Sequence, residues 1–288
     1  MFFDLQKLKT DLTAVIAKSV DGGLSIGADE VEVMVARDQG LEVSVRHGRI
    51  ENLELSNDFS LSISVLFGKR KGSVSSTNFD DSSIKSLLAK AKDLTLLLEE
   101  DPHYGLAPGG LNPKKLVELD LYHPWITEPT DAVAIALAIE RAGLSLNEKL
   151  LRPDSAEVST TNSLVGYGNS NGFSAVIPRS RHSMSSVFVA EEKNGMQRDY
   201  WYSMARDPEE LRQADEVGKE AARRSLAKLN PERPISGVFP VLFAPDCASS
   251  LISHFISAVD GFSSLKKGSF FFGRNGEKKI SRRLTIMG

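Results

Sequence analysis

The chain has little cysteine and little net charge, and each of these properties excludes certain kinds of site or partner. It contains one cysteine, Cys247, among 288 residues, so it can form neither an intrachain disulfide nor a metal knuckle built from cysteine pairs. The formal net charge is -3, from 35 basic and 38 acidic residues, which provides no field for attracting nucleic acid. The near absence of cysteine indicates a reducing compartment, and we expect a cytoplasmic protein.

Long apolar runs are also missing. No stretch reaches the roughly 20 apolar residues that a transmembrane helix needs. The first twenty residues, MFFDLQKLKTDLTAVIAKSV, lack the basic start and the continuous apolar core of a signal peptide. A chain of this length with 41% hydrophobic and 25% charged residues is typical of a globular protein of two or three domains. We expect neither a membrane nor a nucleic acid among its partners.

Local signatures of catalysis are absent as well. There is no GxSxG elbow of a serine hydrolase and no HExxH zinc motif. Cys247 stands near a predicted helix start, where a thiolate would be stabilised, but we favour an inert buried thiol. Paired carboxylates near the ends of predicted elements are interpreted as capping and solvation: Asp80-Asp81, Glu99-Glu100, Glu191-Glu192 and Glu209-Glu210. None of the five histidines has a metal-binding spacing to another ligand: His47, His103, His123, His182 and His254.

What the chain does have, between residues 31 and 77, is a run of alternating apolar and polar residues. The segments VEVMVAR, LEVSVR, RIENLELS and LSISVLF are followed by the short GSVSST. A period of two predicts antiparallel strands with one buried face, and turns are predicted at Gln39-Gly40, His47-Gly48 and 68–72. Amphipathic helices are predicted over Leu5–Val20, ended by Gly22-Gly23, and from Asp80 through IKSLLAKAKDLTLLL. Residues 1–100 are thus predicted to form an α+β domain.

Two further regions follow a connector over residues 101–127, which is rich in proline and glycine. The central domain is predicted over 128–230, where Pro129 opens a helix and Asp207 opens another that reaches about Leu229. Strands are predicted near 156–167, 173–177, 181–190 and 196–205, with Asn-Gly turns at 171–172 and 194–195. A strand over 238–244 and a helix from Pro245 to Val259 begin a third region, 231–288. The predicted fold class is α+β, with antiparallel sheets covered by helices.

The strands between residues 181 and 205 are rich in methionine and aromatic side chains. They carry Met184, Phe188, Met196, Tyr200, Trp201, Tyr202 and Met204. Core packing is the default interpretation of such a set. A peptide-binding sheet edge is the alternative, because an extended peptide that adds to a sheet needs such surfaces.

Three ordered segments of the chain resemble the TldD/PmbA family, which is associated with metal-dependent proteolysis. LEVSVRHGRIENLE with LSISVLFGKRKGSVSST resembles its N-terminal domain, residues 166–206 resemble its central domain, and residues 239–270 resemble the start of its C-terminal domain. The sequences of these segments resemble the PmbA branch more than the TldD branch.

Whether the chain resembles the PmbA or the TldD branch determines whether the resemblance implies a zinc site in this chain. TldD-type members carry an HExxxH zinc motif in the segment that matches LISHFISAVDG here. Ser253 falls at the first histidine of that motif, His254 at the glutamate and Ala258 at the second histidine. The resemblance therefore implies a chain with no catalytic, cofactor-binding or metal-binding residues of its own. It implies a non-catalytic subunit of a heterodimer in which a TldD-type partner holds zinc and cleaves unfolded or extended peptides.

Family members continue well past the point that matches Leu284–Ile286, so the resemblance also implies a C-terminally truncated third domain. We expect the tail after Gly261 to be disordered or prone to aggregation by itself. Two other functions stay open. The chain could be a remnant that acts only as a peptide-binding or interaction module, or an autonomous hydrolase that uses residues set aside above.

Overall fold

The computed structural model describes residues 4–113, 116–125, 127–193 and 195–277. The chain forms two compact units, Met1–Pro231 and Glu232–Gly288. The first unit contains a six-stranded antiparallel sheet and four α-helices. The predicted α+β class with antiparallel pairing is confirmed.

The six strands form one continuous sheet. They are β1 Glu30–Arg46, β2 Arg49–Phe67, β3 Arg70–Ser76, β4 Leu151–Asn169, β5 Ser174–Glu192 and β6 Gly195–Ala205. Their order is β3-β2-β1-β4-β5-β6. Strand β1 pairs with both β2 and β4, so the segments that were predicted to form separate sheets share one.

The strands are longer than predicted, and the predicted turn at Gln39-Gly40 is wrong. Strand β1 runs through both residues, because Gly40 pairs with Ser56 on one side and with Thr161 on the other. Residues 49–56 and 61–67 are likewise halves of β2, and the two strands predicted within 173–190 are both part of β5. Polar residues inside these alternating patterns do not interrupt the strands, because the backbone there stays paired with a neighbouring strand, β2 with β1 and β5 with β4.

The predicted hairpin at His47-Gly48 is confirmed. Both residues have positive φ, 52° and 71°, as a two-residue turn matching the twist of the flanking strands requires. The carboxylate of Glu140, which is 2% exposed on a helix above, accepts a hydrogen bond from the Gly48 N–H at 2.6 Å. The predicted turn at 171–172 is confirmed too, while Asn194 of the second Asn-Gly pair lies outside the described residues.

Four helices cover one face of the sheet in two pairs. They are α1 Leu5–Ser25, α2 Asp81–Leu96, α3 Pro129–Leu144 and α4 Ala214–Ala227. The α1/α2 pair packs on alternate residues of β1 from Val31 to Val35 and on the partner residues of β2. The α3/α4 pair packs on Leu41, Val43 and Val45 at the other end of β1 and on β4 and β5. Long strands thus carry two separate apolar cores on one face.

Two helix boundaries differ from the prediction. Helix α1 continues past Gly22-Gly23 to Ser25, and Gly23 is buried against the Val31 side chain, where a larger residue would collide. The helix predicted from Asp207 is instead a short 3-10 helix, Pro208–Glu210, with the Asp207 carboxylate accepting a hydrogen bond from the Glu209 N–H. Helix α4 begins only at Ala214.

The second unit contains α5 Pro245–Val259 and the short α6 Gly261–Leu265. Helix α5 has the predicted bounds. The predicted strand over 238–244 is wrong: this segment has no regular secondary structure, and no strand of the described chain pairs with it. None of the helical residues in this unit is buried. Within the described ranges, no helix is both long and apolar enough to span a membrane.

Candidate functional site

Helix α5 carries the three positions at which the family resemblance places a zinc motif. The helix starts with Pro245 at its first turn and Asp246 next to it, both favourable at a helix N-terminus. His254 and Ala258 are four residues apart, so they lie on the same face. Ser253 lies beside them and donates its hydroxyl to the Ser249 carbonyl at 3.0 Å. Helix α5 therefore brings together one hydroxyl, one imidazole and one methyl group.

This set does not fit a zinc ion. A catalytic zinc takes three protein ligands from His, Cys, Asp or Glu, and of the three positions only His254 carries such a side chain. It is exposed. Across the described ranges, no group of three or more His, Cys, Asp or Glu side chains is arranged to hold a metal ion.

Cys247, two turns before His254 on the same helix, is exposed. The expectation of a buried thiol is therefore wrong. Cys247 lies in the first turn of α5, as its predicted place near a helix start required. Its backbone N–H donates to the Asp246 carboxylate at 3.1 Å.

His182 is the buried histidine of the chain's sheet, on the helix-covered face of β5. It is 0% exposed. Its Nε2 lies 2.8 Å from the His123 carbonyl, which can only accept, so Nε2 carries the proton and Nδ1 accepts from the Thr160 hydroxyl at 2.8 Å. Burial is the main cause that lowers the pKa of His182 below its usual 6.5, although the hydrogen bond to His123 opposes the shift.

The hydrogen bond between the His182 ring and the His123 carbonyl fastens the connector to the sheet. Ser180 reinforces it: its N–H donates to the Leu121 carbonyl at 2.8 Å, and its hydroxyl accepts from the His123 N–H at 2.8 Å. The His123 ring also lies 3.5 Å from an Asp207 oxygen. Sequence reasoning missed this arrangement because His123 and His182 are 59 residues apart, and no local spacing links them.

Of the methionine and aromatic side chains on strands β5 and β6, some pack in the cores and others are exposed. Met184 and Phe188 are buried in the cores, as the default predicted. Strand β6 instead exposes alternate side chains, namely Met196, Tyr200, Tyr202 and Met204, on the face away from the helices. It is an edge strand that pairs only with β5 among the described strands. A peptide-binding role of this edge stays a prediction.

Family models match the chain in three places. The PmbA/TldA metallopeptidase domain 1 matches residues 31–95, the central domain of that family matches residues 122–229, and its C-terminal domain matches residues 236–288. The three matched regions contain, in the same order along the chain, the three segments whose sequences resemble the family.

Individual relatives agree with the family models. Metalloprotease PmbA from Escherichia coli O157:H7 is 32% identical over 275 residues, which are 94% of this chain and 61% of that protein. A candidate modulator of DNA gyrase from Bacteroides thetaiotaomicron has a similar fold, with a TM-score of 0.85 at 22% identity over 96% of this chain and 62% of that one. TldE from Thermococcus kodakarensis has a TM-score of 0.73 at 17% identity, over 92% and 59%. The chain thus spans about three fifths of the length of these proteins, and it belongs to the PmbA/TldD metallopeptidase family.

Proposed function

We propose that the chain is a PmbA-like, non-catalytic subunit of a zinc metalloprotease complex whose TldD-type partner holds the zinc and cleaves unfolded or extended peptides. The observation that carries the proposal is the side-chain set of helix α5. Ser253 and Ala258 stand where the resemblance places the two histidines of HExxxH, and the Ser253 hydroxyl is engaged with its own helix. The chemistry would then depend on the partner, and this chain would contribute binding surface.

Two further features support parts of the proposal. The exposed edge strand β6, with its row of methionine and tyrosine side chains, is a surface to which an extended peptide can add. The single cysteine supports a reducing compartment, and we include a cytoplasmic location in the proposal.

The test is co-expression of the 288-residue chain with a TldD-type protein that carries HExxxH, followed by size-exclusion chromatography and a peptide-cleavage assay. We expect co-elution at the mass of a pair and cleavage of an unfolded peptide. As the control, a partner whose motif glutamate is replaced by glutamine should still co-elute without cleavage. Separate elution of the two chains would favour an interaction module that does not form the complex. Cleavage by this chain alone would show an autonomous hydrolase and overturn the proposal.

A further inference from the structure

The helix-covered face of the sheet has a polar row between its two cores. Gln39 in the middle of β1 pairs with Asn57 on β2 and with Asn162 on β4, and residues that pair directly across antiparallel strands point to the same face. Apolar residues occupy the equivalent rows under each helix pair. The Asn162 Oδ1 atom is buried, whereas Gln39 is half-buried and Asn57 is exposed. Two carboxamides of the polar row can therefore be reached from outside.

A cavity of about 410 Å³ lies over the polar row. The connector lines it with two aromatic side chains, Tyr122 and Trp125, and the sheet adds the apolar side chains of Leu41 and Leu55. Its size is within the range of small-molecule sites, which combine mostly apolar walls with a few polar groups. The cavity thus places two aromatic rings beside the two accessible carboxamides.

The aromatic wall of the cavity is held in place by the fold. Trp125 packs edge-on against the buried His182 ring, with 5.8 Å between the ring centroids, and His182 donates to the His123 carbonyl of the same connector at 2.8 Å. The Ser180 N–H also donates to the Leu121 carbonyl of the connector at 2.8 Å. A ligand would not have to order this wall, which lowers the entropic cost of binding.

The polar side chains that line the cavity are neutral and available to a ligand. Within the described part of the chain, the side chains of Gln39, Asn57 and Tyr122 make no hydrogen bond. Burial raises the pKa of the Tyr122 phenol, so its hydroxyl is uncharged at neutral pH. A carboxamide presents an acceptor oxygen beside a donor amino group, and a hydroxyl can bind either one because it both donates and accepts. These side chains therefore match a ligand that carries several hydroxyl groups.

The charge and polarity of the lining argue against two other classes of ligand. Among the lining residues that the structure describes, Glu128 is the one charged side chain, and it is exposed. A phosphate or carboxylate ligand would therefore meet a like charge and no cation. A purely apolar ligand would remove water from the carboxamides without replacing its hydrogen bonds, which is unfavourable.

A pyranose sugar meets both requirements. Its hydroxyl groups can bind the carboxamides and the phenol. Its ring C–H hydrogens carry a slight positive charge, so they pack well against the negative face of an aromatic ring.

We propose that this cavity binds a neutral sugar, whose ring packs on Trp125 and whose hydroxyls bind the side chains of Gln39, Asn57 and Tyr122. The described lining residues all belong to the first unit. The proposal goes beyond the proposed function and does not rest on it, because it requires neither a partner subunit nor peptide cleavage.

The test is saturation-transfer NMR on the full chain, followed by calorimetric titration of each compound that binds. The neutral probes are D-glucose, D-galactose, D-mannose and N-acetyl-D-glucosamine. Choline is the competing cationic probe, because aromatic rings also bind quaternary ammonium ions, and cyclohexanol is an apolar ring with one hydroxyl. We expect saturable binding of at least one sugar, with the strongest saturation at its ring C–H protons. We expect cyclohexanol to bind at least about tenfold more weakly, because it leaves at least one carboxamide without a partner.

Substitutions then assign the binding to the cavity. Asn57→Leu and Tyr122→Phe should each weaken binding of the sugar about tenfold, the size of one lost hydrogen bond. The matched controls are Asn52→Leu, at an exposed position on the opposite face of β2, and Tyr202→Phe, at an exposed position on β6. Both controls should bind the sugar like the unsubstituted chain. Melting temperatures show whether each variant is folded, and Gln39→Leu repeats the test if Tyr122→Phe is not.

Absence of saturable binding for all four sugars would overturn the proposal. Binding of choline without binding of any sugar would also overturn it, as would equal affinity for cyclohexanol and the best sugar. Unchanged sugar binding in both Asn57→Leu and Tyr122→Phe would place the sugar elsewhere and overturn the assignment to this cavity. The titration uses this chain without a partner subunit, so its result is independent of whether a protease complex forms.

Discussion

The two units of the chain differ in how far their large apolar side chains are exposed. In Met1–Pro231 the large residues of the strands alternate into two cores, and Phe188 is 0% exposed. In the described part of Glu232–Gly288, Phe270 is 72% exposed and Leu242 is 97% exposed. The buried apolar residues found in the described ranges all lie between Leu12 and Ala222.

The difference shows that an apolar pattern becomes a core only where a complementary surface exists. Residues 238–244 are as apolar as strand β1, yet they form no strand, because no described strand offers them hydrogen bonds. Strand β1 instead has a partner on each side and helices above it. The stability of the first unit should therefore be independent of the second, and the following experiments test this, from the largest expected effect to the smallest.

Equivalent phenylalanine substitutions should separate the two units most strongly. Phe188→Ala removes a fully buried ring from the core under α4 and should cost about 3–5 kcal/mol of unfolding free energy. Phe270→Ala, at an exposed position, should change it by less than about 0.5 kcal/mol. Urea unfolding followed by circular dichroism measures both. Similar losses in the two variants would mean that the second unit shares the cooperative core.

Equivalent glycine substitutions should give a smaller effect. A Cβ atom on Gly218 of α4 would lie 2.0 Å from the Ile139 carbonyl oxygen of α3, so the two helices would have to separate. Gly218→Ala should cost about 1–3 kcal/mol. Gly261→Ala, where nothing lies within 4 Å, serves as the control and should be close to neutral. An unchanged melting temperature in Gly218→Ala would contradict the close approach of α3 and α4.

The buried histidine should give the first unit a pH dependence. Because burial lowers the pKa of His182, the unfolded chain binds more protons than the folded one, and stability falls as pH drops below the unfolded value of 6.5. We expect the melting temperature to decrease between about pH 8 and about pH 5.

Substitution of this histidine should make that decrease smaller. His182→Gln should lower the melting temperature at neutral pH, because it disturbs two buried hydrogen bonds, and should also flatten its pH dependence. His254→Gln, at an exposed position on α5, is the control and should retain the pH dependence of the unsubstituted chain. An unchanged slope in His182→Gln would mean that other groups cause the pH dependence.

Removal of the second unit should have the smallest effect. A chain that ends at Pro231 keeps all six strands and the four helices that cover them. We expect its melting temperature to equal that of the full chain, and we expect better solubility because exposed apolar residues are removed. Calorimetry of both chains is the measurement, and a clear drop in melting temperature would show that residues 232–288 stabilise the sheet.

Much of the fold could be predicted from local pattern. The helices α2, α3 and α5 and the turn at His47-Gly48 follow from proline or aspartate in the first helical turn, apolar spacing and residues that tolerate positive φ. The extended backbone at Gln39-Gly40 and the absence of a strand at 238–244 could not be predicted, because pairing partners distant in sequence decide whether a segment is extended.

The candidate sites also differ in whether local sequence or contacts between distant residues define them. The identities of Ser253, His254 and Ala258 are read directly from the sequence, and they already exclude the HExxxH arrangement at that place. The polar row between the two cores could not be read from the sequence, because its residues Gln39, Asn57 and Asn162 meet only through the register of three strands. The link between His123 and His182 has the same origin.

The sequence by itself determined the family, the α+β class, most helices and the side chains available on α5, because these depend on local order along the chain. The tertiary structure decided that one sheet replaces two, that its helix-covered face has two cores with a polar gap between them, and that Cys247 is exposed. These features depend on strand register and on which surfaces find partners, and both are set by contacts between residues far apart in the chain.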